Sequence, residues 1–341
     1  MIVIRCYSPY VEEYSIDEAF VDLRGFSRFN LTEYMTKMRN EIYDRTGIMT
    51  TVGIATTKTL SKIANRYAKK QTDYRVGVLD ISNEDERIKY LKLTDIGDVW
   101  GIGRGYKKLL NENNIHTAFE FVMASQQQWM KKKMSVVGQR TAYELQGIAC
   151  VDMKYEYKPK KMIMFSRSFG KKLTNKEDII EAVALFTARA AERMRTENSS
   201  ARFVSLYLNS SRYEDKRYYE KYEMRLPTAT DSTGEILSYT IKAVDKCYIE
   251  GVKFYQAGVM LSGLQPTNSI QVSFFDTYDR HKIASVTKAV DNINLKNGID
   301  TIKYASMGTK NSWKQNQNYR TKDFVESDKL LVDIKRQINF L

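Results

Sequence analysis

Apolar and polar positions near the start of the chain alternate in short runs and then settle into a helical period. Val11 to Tyr14 and Ala19 to Leu23 predict two strands, which leaves the adjacent carboxylates Asp17 and Glu18 on the hairpin between them. From Asn30 the period lengthens: Tyr34, Met38 and Ile42 recur at every fourth position, Asn30 is placed to cap, and Gly47 to terminate, a helix over 30–46. Residues 50–55 then predict a strand, 58–70 a helix facing its core with Leu60, Ile63, Ala64 and Tyr67, 76–81 a returning strand and 84–91 another helix. Met1 to Arg5 is apolar and β-branched, and is expected to lie within a sheet.

Gly101-Ile102-Gly103 falls between two helical patterns and is followed by Arg104, Gly105, Lys107 and Lys108, the signature of a helix-hairpin-helix whose amides meet a phosphate. A looser turn at Val137 to Arg140 precedes a helical stretch over 141–147, and Trp129 is expected in the core of this helical region. Lysines dominate 154–161 around Pro159, which suits an extended basic linker. Beyond it the pattern predicts strand 162–170, helix 175–197, strands 201–209 and 218–226, helix 231–249 and strand 252–263. This β-α-β-β-α-β order leaves one sheet face open. The fold class is therefore α+β.

A chain of 341 residues accommodates two or three domains, and its formal net charge of +13 favours a polyanionic partner. No apolar run reaches the roughly 18 to 20 residues that span a bilayer, and no signal-peptide pattern opens the chain, so no membrane association is expected and the cytoplasm is the expected compartment. Cys6, Cys150 and Cys247 are odd in number and far apart, against a disulfide or zinc framework. With His116 and His281 as the only histidines, a histidine-based metal site is not expected.

Two neighbouring carboxylates at a strand end repel one another, and a hard cation relieves that cost. Magnesium fits, because it takes oxygen ligands from one or two carboxylates together with substrate phosphates. The helix after residue 57 presents Lys58, Lys62, Arg66, Lys69 and Lys70 with no acid among them, an arrangement that calls for an anion.

The string Ser15-Ile16-Asp17-Glu18-Ala19-Phe20-Val21-Asp22-Leu23 resembles the second catalytic motif of the Y-family, or lesion-bypass, DNA polymerases, and the order of later motifs resembles the UmuC/UvrX-like bacterial type. The resemblance implies an incomplete palm over 1–92, a thumb over 93–153, the linker over 154–161, a little finger over 162–264 and a UmuC-type extension over 265–341. It implies that Asp17 and Glu18 bind magnesium, two ions in a complete enzyme, and that Lys69, supported by Lys62, meets the deoxynucleoside triphosphate. Asp22 is expected to be structural. Primer-template DNA is the implied partner of Gly101, Ile102, Gly103, Arg104, Gly105 and Lys107, and of Arg167, Ser168 and Lys171 on the open sheet face. Gln271, Phe274 and Phe275 resemble a sliding-clamp-binding peptide. The tail at 289–298 and 301–307 resembles the UmuC-type extension, and 308–328 is expected to be a flexible surface segment.

The sequence departs from the family at its start. Family members carry an Asp-x-x-x-Phe-Tyr-type element and a fingers segment before the Asp-Glu motif, and neither precedes it here. The expectation is a polymerase without its first palm strand and fingers, binding magnesium weakly or not at all and inactive unaided. Two alternatives stand beside it: a non-enzymatic DNA- and clamp-binding protein, and half of a split polymerase completed by a separate chain carrying the fingers. In a bacterium it would be nucleoid-associated and serve damage tolerance of the SOS type.

Overall fold

The computed structural model describes residues 1–70, 77–155, 159–270, 276, 278–309 and 313–315. They fall into two compact units, residues 1–157 and 158–341.

In the first unit the chain opens with a helix, α1 (Ile2–Tyr7), where a strand is expected. Tertiary packing overrides β-propensity here: Val3 and Tyr7, four residues apart, are both buried in a cluster with Met35, Met38 and Ile42. The Tyr7 hydroxyl donates to Glu41 Oε2 at 2.5 Å. The hairpin follows as predicted, β1 (Val11–Glu13) antiparallel to β2 (Ala19–Val21), with Glu12 opposite Phe20. Helix α2 (Leu31–Thr46) is capped by Asn30, which accepts from the amides of Thr32 and Glu33, and ends at Gly47 with φ 68°.

Strands β3 (Val52–Ile54) and β4 (Val78–Asp80) run parallel, and the connection between them contains α3 (Lys58–Lys70). Helices α4 (Glu84–Leu93), α5 (Arg104–Asn111), α6 (Ala118–Ala124), α7 (Gln128–Lys133) and α8 (Val136–Leu145) complete the unit. The turn expected at Val137 to Arg140 lies inside α8. There Gly138 is covered by Met134, where a side chain would stand 2.7 Å from the methionine Cβ. Trp129 is half-buried against this helical core, as expected.

The second unit is an antiparallel sheet of β5 (Met162–Leu173), β6 (Ser199–Ser210), β7 (Tyr219–Thr230) and β8 (Phe254–Ser262), in the order β5-β8-β6-β7, with the short β9 (Gln265–Pro266) on β6. Helices α9 (Lys176–Thr196) and α10 (Thr233–Cys247) supply Phe186, Ala190, Ile236 and Val244 to the core formed with Val204, Leu206, Val259 and Leu261. The β-α-β-β-α-β order is the predicted one.

Register corrects one expectation. Arg167 pairs with Ala257, which pairs with Leu208, so Arg167 shares the face of buried residues and lies over the Phe165 ring. Ser168 pairs with Gln256 on the opposite face, beside Asn209 and the stacked Tyr207 and Tyr219. Adjacent strand residues point to opposite faces, so Arg167 and Ser168 do not share the open surface.

A second correction concerns the tail. Helix α11 (Arg280–Asn297) is followed by Met307, which is buried against Ala184 and Leu237, and by Trp313, which is 2% exposed in the sheet domain's core. Part of the segment expected to be a flexible surface is thus a core element. A lone buried Trp among polar neighbours creates no apolar period in the sequence.

Trp313 packs against Phe186 at 5.3 Å between ring centroids, and its indole nitrogen has no partner among the described residues. Trp313→Ala is expected to cost about 3–5 kcal/mol in urea unfolding, and Trp313→Phe much less because it removes an unsatisfied donor. A loss below about 1 kcal/mol for the alanine variant would contradict its place in the core.

Candidate functional site

The hairpin tip carries the paired carboxylates. Asp17 is exposed, and its Oδ1 accepts from the Ser15 hydroxyl at 2.5 Å while its own amide donates to Ser15 Oγ at 3.3 Å. The bond from the Ser15 hydroxyl, followed by that from Asp17's own backbone amide, holds the Asp17 carboxyl below the usual carboxylate range, with the nearby Lys69 and Lys62 charges acting in the same direction. Glu18 is half-buried and pairs with Lys62 Nζ at 2.8 Å. The hairpin and α3 therefore share one locus, with exposed Lys69 two turns beyond Lys62 on the same helix.

Tyr14, Phe20 and Trp100 close the back of this locus. Lys62 Nζ lies 4.4 Å from the Tyr14 ring centroid and 5.4 Å from that of Phe20. Trp100 Nε1 donates to the Tyr14 hydroxyl at 3.2 Å, and the two rings meet edge-on at 5.7 Å. Trp100 immediately precedes Gly101, so one side chain ties the carboxylate hairpin to the glycine turn.

The basic face of α3 is more neutralised than its local sequence suggests. Lys58 is buried and bonded to Glu12 of β1, Lys62 is paired with Glu18, and Arg66 is paired with Asp98. Their acids come from other segments, which a count along the helix cannot see. Lys58 also donates to the Asp152 carbonyl at 2.7 Å, and Glu12 Oε2 accepts the Lys154 amide at 2.8 Å. The start of the basic stretch at 154 is thus pinned to β1 through its backbone amide, while Lys154 itself is exposed.

Glu144, 1% exposed, accepts from the amides of Thr59, Cys150 and Val151 at 3.1, 2.6 and 3.0 Å, which places an anion at the N-terminus of α3. Sequence reasoning missed Glu12, Lys58 and Glu144 as a framework. The available signal was Glu12, an acid inside an apolar β run.

At the glycine turn, Gly101 has φ 96°, a backbone that favours glycine, and Gly103 precedes α5 without a side-chain cap. Gly103, Arg104 and Gly105 are exposed. Ile102 is buried and its amide donates to the Val99 carbonyl, so its contribution is to anchor the turn. Lys107 Nζ is held by Asp95 at 2.7 Å, a bond that keeps the Asp95 carboxyl below its ordinary range.

In the second unit Arg167 and Lys171 are exposed on β5 and Ser168 is half-buried. Gln271, Phe274 and Phe275 lie outside the described residues. No group of three or more His, Cys, Asp or Glu able to hold a metal occurs among the described residues. No described helix is long and apolar enough to cross a membrane.

Residues 1–66 match the impB/mucB/samB family and residues 160–274 match that family's C-terminal domain. Protein UmuC of Salmonella typhimurium (strain LT2) is 36% identical over 310 residues, covering 89% of this chain and 73% of UmuC. The chain belongs to the UmuC/ImpB/SamB/MucB type of Y-family DNA polymerases. Protein ImpB of Salmonella typhimurium is 33% identical over 333 residues, covering 94% of this chain and 78% of ImpB. Residues 284–325 match a domain of unknown function (DUF4113). Among solved structures, a Y-family DNA polymerase chimera of Dbh and Dpo4 aligns with a TM-score of 0.61 at 18% identity, covering 77% of this chain and 74% of the chimera, which shows the shared α+β fold with its C-terminal little-finger-like sheet domain.

Two predictions follow the framework of this family member. Breaking a buried pair leaves an uncompensated charge, so Lys58→Met is expected to cost about 3–5 kcal/mol, and adding Glu12→Leu to recover part of that loss. A double-mutant cycle by urea unfolding measures this, and strict additivity would refute the coupling.

Asp22, whose side chain is 9% exposed, is held at a pKa of about 2 by hydrogen bonds from Arg24, with Tyr155 adding another at 3.0 Å. A depressed folded pKa stabilises the fold above the unfolded value of about 3.9, and that contribution is lost as pH falls towards the folded value. Asp22→Asn is therefore expected to flatten stability between about pH 4 and pH 2 in acid titrations followed by circular dichroism. An unchanged acid limb would remove Asp22 from the account.

Proposed function

We propose that this chain is a translesion DNA-directed DNA polymerase of the UmuC type, acting in DNA repair by template-directed nucleotidyl transfer. The observation that carries the reading is the meeting of the Asp17-Glu18 hairpin with Lys62 and Lys69 at one locus of the first unit. The hairpin's oxygen donors, with Asp17 ionised at neutral pH, fit a hard divalent cation. Magnesium, held by Asp17 and Glu18, supplies Lewis-acid activation of the primer hydroxyl and charge neutralisation on the triphosphate.

Ser15 orients Asp17 and keeps it unprotonated. Lys62 holds the Glu18 carboxylate at the locus, where with Asp17 it would serve as a magnesium ligand, and Lys69 offers a compact positive charge to the triphosphate. The turn from Gly101 to Gly105 and the basic edge of β5 contact duplex phosphates, positioning DNA without reading its bases. Residues 1–92 act as palm, 93–153 as thumb and 162–264 as little finger, and Gln271, Phe274 and Phe275 engage a sliding clamp.

The shortage of a third ligand near Asp17 and Glu18 among the described residues supports a finer statement: this chain binds magnesium weakly and extends primers poorly on its own. The same observation favours a second reading, a DNA- and clamp-binding module or a half-enzyme completed by another polypeptide.

Primer extension with the purified chain tests the proposal, alone and together with a polypeptide carrying the family's Asp-x-x-x-Phe-Tyr element. Magnesium-dependent extension in the complemented reaction is expected to fall at least about a hundredfold in Glu18→Ala, the scale of losing a charge-stabilising group. Extension that survives Glu18→Ala would exclude the hairpin as the metal site. DNA binding without extension under either condition would favour the binding module.

A further inference from the structure

The segment following the sheet is fastened to α9 and α10 at several separate points. Arg280 bonds Glu235 at 2.5 Å, Arg195 grips Asp291 with two bonds of 2.6 and 2.8 Å, and Arg189 reaches Asp300 at 2.6 Å. Bidentate arginine-carboxylate pairs of this kind fix geometry as well as charge. Met307 then enters the crevice formed by Ala184 and Leu237, and Trp313 enters the main core beside Phe169 and Phe186.

Where Trp313 enters, the segment meets the edge strand β5. Pairing of β5 with β8 is irregular between Ser168 and Leu173, and within that stretch the Gly170 amide donates to the Trp313 carbonyl at 2.8 Å. A side chain on Gly170 would stand 2.3 Å from the Lys314 carbonyl oxygen, so backbone lies directly on backbone. Irregular edge strands offer unpaired amides to other chains, and this contact covers one.

The backbone of Lys314 thereby lies against Gly170, one residue from Lys171 on the edge strand, and both lysines are exposed. Arg167, Lys171 and Lys314 are all exposed and have no acidic partner among the described residues, whereas Lys172 is paired with Glu214. Lys171 and Lys314, unneutralised and flanking the same backbone contact at the end of β5, give this edge a positive charge complementary to a sugar-phosphate backbone.

We propose that the described residues of the segment matched by the domain of unknown function, which include Trp313 and Lys314, are a strap that seals the irregular end of β5 and adds Lys314 to Lys171 on a basic edge that contacts the phosphates of duplex DNA. The strap deepens the DNA-binding reading and rests on it. It converts a stretch with no core of its own into part of the little finger's nucleic-acid surface.

The test is fluorescence anisotropy of a labelled primer-template duplex with the full chain, titrated across a series of potassium chloride concentrations. Each phosphate contact contributes about 0.9 to the slope of log affinity against log salt. Lys314→Ala is expected to reduce the slope by about one and to weaken binding equally across duplex sequences, as is Lys171→Ala. Trp313→Phe should keep the wild-type slope. An unchanged slope in Lys314→Ala overturns the strap's contact role, and if Lys171→Ala still lowers the slope, the DNA-binding reading survives. A wild-type affinity indifferent to salt overturns both.

Discussion

The first unit depends on one buried ion pair. Glu12 and Lys58 are each largely sealed from water, at 8% and 7% side-chain exposure, and each makes a further bond to the backbone around residues 152–154. Charges taken out of water are tolerated only when paired and fully hydrogen-bonded, so this pair admits one arrangement of β1, α3 and the chain that leaves α8. That arrangement sets the carboxylate hairpin against α3. Glu144 does similar service at the adjacent residue, receiving the Thr59 amide at the start of α3 and those of Cys150 and Val151.

Polar framework and exposed chemistry are thus divided between neighbouring residues. Of the cations along α3, Lys58 is structural, Lys62 and Arg66 are held by acids, and Lys69 stands in solvent close enough to lower the Asp17 carboxyl's affinity for protons. A helix carrying five positive charges in sequence offers far fewer in space. The aromatic trio Tyr14, Phe20 and Trp100 gives the locus a rigid backing and joins it to the glycine turn through a single indole hydrogen bond.

The second unit follows a different economy. Its sheet and two helices make an apolar core, while the segment after β9 is attached by arginine-carboxylate pairs and two isolated apolar plugs, Met307 and Trp313. Charge-assisted bonds fix the position of a segment too polar to fold around a core of its own. The UmuC-type tail is therefore continuous with the sheet domain over its described residues.

Local pattern alone determined a large part of this protein. The Asn30 cap, the Gly47 stop, the hairpin that presents Asp17 and Glu18, the β-α-β-β-α-β order and the family resemblance of the Ser15 to Leu23 string are all legible because capping, turn chemistry and periodicity act over a few residues. Tertiary structure decided what those rules cannot reach. Met1 to Arg5 became helix because Val3 and Tyr7 pack on α2, and Lys58 turned inward because Glu12 awaited it. Arg167 and Ser168 parted company because register assigned them opposite faces, and Trp313 left a polar tail for the core. In each case the deciding partner lies far away in sequence, and burial rather than propensity supplies the larger free energy.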